Sequence, residues 1–395
     1  MKLARHNGSF LLLGLLLTSV LAFAQTTQPS SQSPSTVLEM MDDFLLEKEW
    51  GLGFNELNGK TFLVAQGTAV IGDARDTKMY GSARKNAYDR AMLVAKQKVA
   101  EYLATEIASN PLNRWGAPSS NSVGGILLER VMADIKADLC AKGVDLNDLE
   151  GTDGNELAKD LVRSERYSKM IKMVAQAEVL GVQAFCTFES VNESGKPEMG
   201  VIAVWSPRLH DIASSIATGF MVEPGRAKER IAKKVRASKE TLLSSYGVRL
   251  FADQNGDWVL VAYGQGNSDD EARLHATSMI REFAGEVVAV ASASYSAEAF
   301  QEYDDGAEGY SALSAFYKRG IAVAETMTIA GMTPVYETRI KHPMTGKVVS
   351  ICVQSWSIKQ AALAVEMISS GKGKFKAPQG YSSAVGMPGD DSSIQ

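Results

Sequence analysis

The sequence predicts an α+β protein made of two tandem copies of a helix-hairpin-helix-hairpin-helix unit, with mainly antiparallel sheets and helices packed on them. Three observations predict it. An Asn-Gly turn opens an apolar strand twice, in NGKTFLVAQG from Asn58 to Gly67 and in NGDWVLVAYG from Asn255 to Gly264. A stripe of small residues follows each strand: Ala83, Ala87, Ala91 and Ala95, then Ala272, Ala276, Ile280 and Ala284. A Gly-Lys turn stands the same distance before a Trp-Ser pair in both halves. These are Gly195-Lys196 before Trp205-Ser206 and Gly346-Lys347 before Trp356-Ser357.

The elements follow in chain order. Lys2 and Arg5 precede FLLLGLLLTSV, Phe10 to Val20, which fits a signal-peptide core and is too short to span a bilayer. Ala22-Phe23-Ala24 is an A-x-A cleavage site, so 1–24 reads as a signal peptide and the mature chain as starting at Gln25. No cysteine lies near that site, so no lipid attachment is expected there. Residues 25–36 (QTTQPSSQSPST) read as a disordered linker, and the Gly-, Pro- and Ser-rich stretch 371–395 as a disordered tail. No later segment approaches about 18 uninterrupted apolar residues, so no transmembrane segment is expected. The stretch between divides into a first repeat, 37–222, and a second, 223–370.

The first repeat opens with a helix over about 37–49. Its Asn-Gly hairpin needs positive φ at both turn positions, and its strand ends at Ala65-Gln66-Gly67. In the helix that follows, four-residue spacing puts the alanines on one stripe, which lets the helix lie close on a sheet. Arg84 comes just after the first stripe residue, as Arg273 does in the second repeat. An insertion at about 110–160 holds a loop (NPLNRWGAPSSNSVGG), a helix near 125–141 and an acidic turn. Copy-specific function is expected there, because insertions map to loops. Leu180-Gly181 opens the next strand, Ser194-Gly195-Lys196 turns it, VIAVWS returns, and a helix runs from Leu209 to Thr218. The second repeat has a helical stretch over about 226–245 and the Asn255-Gly256 hairpin. A helix begun by a Ser268 and Glu271 capping box follows. Ala330-Gly331, the turn Thr345-Gly346-Lys347, ICVQSWS and a helix from Ile358 to Ile368 complete it.

The formal charge is -5, and loss of the leader makes it two units more negative. That mildly acidic balance gives neither a nucleic-acid footprint nor a polybasic membrane patch. Three cysteines, Cys140, Cys186 and Cys352, allow at most one internal disulfide. They read as buried thiols, with one bridge in an oxidising compartment as the alternative. His210, His275 and His342 lie far apart and outside metal-binding spacing, so they read as surface or helix-end histidines.

Ser82-Ala83-Arg84-Lys85 matches S-x-x-K with no partner motif. It reads as a helix-capping serine followed by solvated basic residues. Gly264-Gln265-Gly266 lacks the third glycine of a dinucleotide loop, and Asp269, Asp270 and Glu271 would repel a pyrophosphate. The acidic run from Asp145 to Glu156 misses the calcium-loop register and reads as a solvated loop. No catalytic, cofactor-binding or metal-binding residue is assigned, and no cofactor is expected. Trp205 and Trp356, with Arg84 and Arg273, are the candidate interaction or packing residues. The tryptophans are either core plugs or two matched aromatic contact patches.

A strand ending in Ala-x-Gly, followed by Ser-Ala-Arg-x-x-Ala-Tyr-x-x-Ala from Ser82 to Ala91, resembles an envelope group. It is similar to the twenty-kilodalton outer-membrane lipoprotein family and to the N-terminal domain of the flagellar assembly T-protein. The similar stretches are 61–104 and 258–288, with hairpins at 180–206 and 330–357. The lipoprotein cysteine is missing, as is any flagellar-specific segment. The resemblance implies a non-enzymatic envelope domain that binds other proteins. The expected function is therefore an exported, periplasmic or secreted assembly or adaptor module with an envelope protein partner. The alternatives are self-association, or a small-ligand-binding protein or unrecognised hydrolase with its site between the repeats or under the insertion.

Overall fold

A computed structural model describes residues 35–72, 80–109, 123–144, 152–218, 230–236, 238–293, 331–343, 345–357 and 359. The leader, nearly all of the linker and the C-terminal tail lie outside them, as does the last expected helix except Lys359. The protein is mixed α and β, with two antiparallel four-stranded sheets and helices packed on them. The first sheet holds β1 (Gly53–Leu57), β2 (Lys60–Val70), β3 (Gln183–Val191) and β4 (Pro197–Trp205) in the order β1-β2-β4-β3. The second holds β5 (Gly247–Ala252), β6 (Trp258–Gly266), β7 (Thr333–Lys341) and β8 (Val348–Trp356) in the order β5-β6-β8-β7.

Registers match as well as order. Leu63 faces Trp205 and Gly67 faces Val201 in the first sheet; Leu260 faces Trp356 and Gly264 faces Cys352 in the second. A bulge interrupts β3 between Ala184 and Cys186, and another interrupts β7 between Pro334 and Tyr336. Ala184 pairs with the residue two before Trp205, and Pro334 with the residue two before Trp356.

The two Asn-Gly turns differ. Asn58 and Gly59 both have positive φ, 55° and 71°, as a two-residue hairpin of mirror-image turn type requires. At the second, only Gly256 does. There the Asp253 carboxylate accepts from the backbone N–H of Asn255 (2.7 Å) and of Asp257 (2.9 Å). That bond set holds a longer loop in which Asn255 need not go left-handed, so the expected symmetry of the turns fails.

A long helix lies on each sheet: α2 (Tyr80–Ser109) on the first and α9 (Asp269–Ala293) on the second. The alanine stripes face inward: Ala87, Ala91, Ala95, Ala272, Ala276 and Ala284 are fully buried. Strand glycines complete the approach. A Cβ at Gly67 would overlap the Ala91 carbonyl oxygen, and one at Gly264 would overlap the backbone of Ala272 and Ala276.

Helix α1 (Val37–Glu47) covers the other face of the first sheet through Val37, Met41 and Leu45. Its start is a full capping box. The Glu39 N–H donates to the Thr36 hydroxyl (3.2 Å), and the Thr36 N–H donates to the Glu39 carboxylate (2.8 Å). Thr36, expected in the linker, is therefore the cap of an ordered helix. The expected Ser268–Glu271 box is half made. The Glu271 N–H donates to Ser268 Oγ (3.2 Å), while the Glu271 carboxylate accepts from the Asn267 N–H (2.7 Å).

The insertion is more helical than expected. Besides α3 (Val123–Ala141) it leads into α4 (Thr152–Val162) and α5 (Glu165–Glu178), and the end of the presumed acidic loop is the first turn of α4. Val131, Ile135, Leu139, Val162, Tyr167 and Ile171 give these helices a core of their own. Helix α6 (Pro207–Thr218) follows β4 as expected, starting two residues early. The stretch expected to be one helix over 226–245 contains two short ones among the described residues, α7 (Ile231–Lys234) and α8 (Lys239–Leu243).

The largest core joins the two sheets. Leu63, Ala91, Trp205, Tyr246, Leu260, Met279 and Trp356 belong to one buried cluster. Among the described residues, no helix is long and apolar enough to cross a membrane.

Candidate functional site

The seam between the sheets holds the densest buried chemistry. Tyr80, Arg84 and Tyr88 stand four residues apart on α2, on the face turned toward β5 and β6. Arg84 is fully buried. Its Nε donates to Glu189 Oε2 of β3 at 2.7 Å, and its Nη2 lies 2.6 Å from the same oxygen. Its Nη1 donates to Gln265 Oε1 of β6 at 2.5 Å, and its Nη2 to the Leu243 carbonyl at 3.4 Å. The Gln265 amide is fixed in turn by the carbonyls of Leu243 (2.9 Å) and Ser245 (2.7 Å). Tyr80 donates to Glu189 Oε1 at 2.5 Å, and His342, at the end of β7, brings Nε2 to 3.2 Å from that oxygen.

Burial pushes the Glu189 carboxyl up, but Arg84, His342 and Tyr80 outweigh it and hold it down at about 2. Burial pushes the Tyr80 and Tyr246 phenols up, and Glu189 adds to the effect at Tyr80. Every acid here is therefore charged, and every phenol neutral, at ordinary pH. The arrangement is a cross-link between the halves. Arg84 is a packing residue, and its expected solvation is corrected: its carboxylate and amide partners come from distant strands.

Arg273 differs. It is half exposed and pairs with Glu337 at 2.9 Å on the surface of the second sheet, beside the exposed Arg339–Asp269 pair. Trp205 and Trp356 are both buried, and Trp205 Nε1 donates to the Leu180 carbonyl at 3.2 Å. Both are core plugs, and neither forms an exposed patch. Two of the three histidines also depart from expectation. His210 is buried on α6 with Nε2 3.6 Å from Glu178 Oε2, and His342 is buried at the seam. Burial disfavours the charged form of His210, but Glu178 and Asp211 outweigh it and raise its pKa. The three cysteines are free thiols: Cys140 exposed, Cys186 half-buried, Cys352 buried. Among the described residues no cluster of His, Cys, Asp and Glu could hold a metal ion.

A cleft of about 300 Å³ lies between α2 and α9. Met92, Val248, Met279 and Phe283 give it an apolar lining. Two ion pairs bridge its walls, Lys85 with Glu282 at 3.6 Å and Lys96 with Glu286 at 2.7 Å. Burial raises the Glu286 carboxyl despite Lys96.

On the opposite side of the first sheet, Phe44, Trp50, Phe62, Phe185 and Phe188 form a chain of ring contacts with centroids 4.9 to 6.1 Å apart. Phe185 is the extra residue of the β3 bulge, and it is 41% exposed. Leu46 of α1, Leu52 between α1 and β1, and Leu57 of β1 are also exposed, while exposed Phe54, opposite Leu63, is on the other face of the sheet. Sequence reasoning missed this patch, although four phenylalanines in one sheet and its covering helix, with Trp50 between α1 and β1, are a readable signal. It also missed Tyr80, Glu189, Gln265 and His342. The available signal was a charged residue, Arg84, in register with an alanine stripe.

The model of a family described as a domain of unknown function (DUF6844) matches residues 124–218, from α3 through α6. The two envelope families that the strand-helix motif resembles are not among the matches. No curated protein matches the chain. A hypothetical protein of Francisella tularensis, solved by crystallography, is similar in fold with a TM-score of 0.50 and 20% identity. The similarity covers 83% of this chain and 93% of that one.

Proposed function

We propose that the protein is an exported, non-enzymatic assembly or adaptor module, built as two copies of one unit, that binds another protein of the cell envelope. One observation carries the binding reading: the chain of five aromatic rings that comes to the surface at exposed Phe185. Aromatic side chains bring large contact area at low entropic cost and dominate interface energetics. Single exposed apolar residues are ordinary, whereas a contiguous aromatic patch marks an interaction surface. The duplication is supported by the matching strand order, registers and bulges of the two sheets. Export is supported by the basic, apolar and A-x-A segments of residues 1–24. It is tested by the mass of the mature chain, expected to start at Gln25.

Binding is tested by a photo-crosslinking residue at position 185 of the full chain, produced in its own cells. A discrete adduct is expected from position 185 and none from position 101, an exposed site on α2. No adduct from position 185, or the same adduct from both, overturns the reading.

A second reading has its own observation. The cleft between α2 and α9 has an apolar lining and walls from two different sheets, and clefts of this size take small ligands. A ligand with an apolar body would fit it. Met279→Trp would fill it and should abolish saturable uptake of an apolar fluorescent probe. Uptake unchanged by that substitution counts against the cleft.

A further inference from the structure

We infer that the start of α2 and the β7–β8 turn form a site for a small oxyanion, held between His342 and Lys347. The two side chains leave the turn together. The His342 N–H donates to the Lys347 carbonyl at 2.6 Å, so the residues are paired and their side chains share a face. Both reach the same ring. His342 packs edge-on to Tyr80, with centroids 5.4 Å apart, and Lys347 Nζ sits 5.0 Å from the Tyr80 centroid.

Both end in polar atoms that water does not reach and nothing satisfies. Lys347 Nζ and His342 Nδ1 are buried without a hydrogen-bond partner. The groups around Glu189 and Arg84 are satisfied, the Tyr246 hydroxyl excepted. His342 Nε2 faces Glu189 at 3.2 Å, Glu189 is held by Arg84 and Tyr80, and Arg84 is held by Gln265 and Leu243. Glu271, the other acid near this end of α2, accepts from Ser82 Oγ and the Asn267 N–H.

A buried ammonium with three unused donors is costly. The face of a tyrosine ring offsets only part of that cost. The charge count has the same sign. Arg84 already balances Glu189, so Lys347 is in excess. The amide dipoles at the start of a 30-residue helix also favour negative charge. An oxyanion accepts from the Lys347 ammonium, and from His342 Nδ1 in the tautomer that carries its proton there, and removes the excess. Glu189, 3.2 Å from the His342 ring, penalises a second negative charge, so a ligand carboxylate fits better than a phosphate dianion.

The test is thermal denaturation and calorimetric titration of the full mature chain with sodium acetate or sodium phosphate, against sodium chloride at equal ionic strength. Acetate should raise the melting temperature saturably above chloride, with phosphate weaker. Lys347→Met keeps the stem over Tyr80 and removes the unpaired charge. It should be at least as stable as wild type in chloride, and should bind acetate at least about tenfold more weakly. Arg339→Gln, on an exposed pair of the same hairpin, should bind as wild type does. Phosphate acting more strongly than acetate, with the same loss in Lys347→Met, would keep the site and assign it to phosphate groups. The inference is overturned if neither anion stabilises wild type beyond chloride, or if both stabilise Lys347→Met equally. Should that variant not fold, the ring nitrogens of His342 decide. Acetate must shift the Nδ1 resonance of wild type, and an unmoved resonance overturns the site.

Discussion

Arg84 carries a full charge at a position from which water is excluded, so its worth depends on keeping every partner. Removing one member of a buried ion pair strands the other, at a cost of about 3–5 kcal/mol, whereas replacing both by apolar residues is often nearly neutral. Arg84→Met should therefore lose roughly 3–5 kcal/mol in urea unfolding at pH 7, and Arg84→Met with Glu189→Leu should recover most of it. The pH dependence follows from Glu189, whose folded pKa of about 2 lies below the ordinary 4.5. Its contribution is complete above pH 4.5 and is lost as pH falls toward 2. In Arg84→Met, protonation of the stranded carboxyl relieves the protein instead, so the gap to wild type should narrow as pH drops from 7 to 4. A gap that widens over that range would contradict the assignment. Gly67 is constrained by shape alone. A Cβ there meets backbone that belongs to a packed helix, so Gly67→Ala should cost more than about 2 kcal/mol. Gly51→Ala, with open space around its Cβ position, should stay within about 0.5 kcal/mol of wild type.

The elements differ in how plainly the chain announces them. Helix α1 depends on its first turn, where Thr36 and Glu39 satisfy two orphan N–H groups between them. Thr36→Ala should cost about 1 kcal/mol and loosen α1 before the rest of the fold, as read by hydrogen exchange at Met40 and Met41. The strands and long helices were legible because their signals are local. Asn58-Gly59 fixes a hairpin, alanines every four residues fix a face, and a strand glycine opposite them fixes the approach. Composition misled in three places. Thr36 was read with its Ser- and Pro-rich neighbours although its Glu partner lies three residues later. The acidic run hid the start of α4, whose acids suit a first turn. Asn255-Gly256 looked like its counterpart until Asp253 supplied a side-chain acceptor that Leu57 cannot. The seam was illegible for a different reason. Arg84 pairs with Glu189, Gln265 and Leu243, and no spacing rule reaches over 105 to 181 residues.

At the scale of the whole molecule, two sheets share one core and several polar cross-links, so neither half can be complete alone. Full-length protein should unfold in one cooperative transition, with fluorescence and circular dichroism coinciding. A fragment of residues 37–222 should expose Tyr80, Arg84 and Tyr88 and fail to show a sharp transition. A fragment that melts as sharply as the full chain would show that the seam is dispensable. The reach of Tyr80 to His342, 262 positions along the chain, also sets an order of events during synthesis. The guanidinium of Arg84 emerges long before the strand that must receive it, so the first half waits, partly open, until the last hairpin has been made. Such a chain is slow to lock. It therefore remains threadable for most of its own translation, which is the condition a polypeptide needs if it is to pass through a narrow channel before it folds.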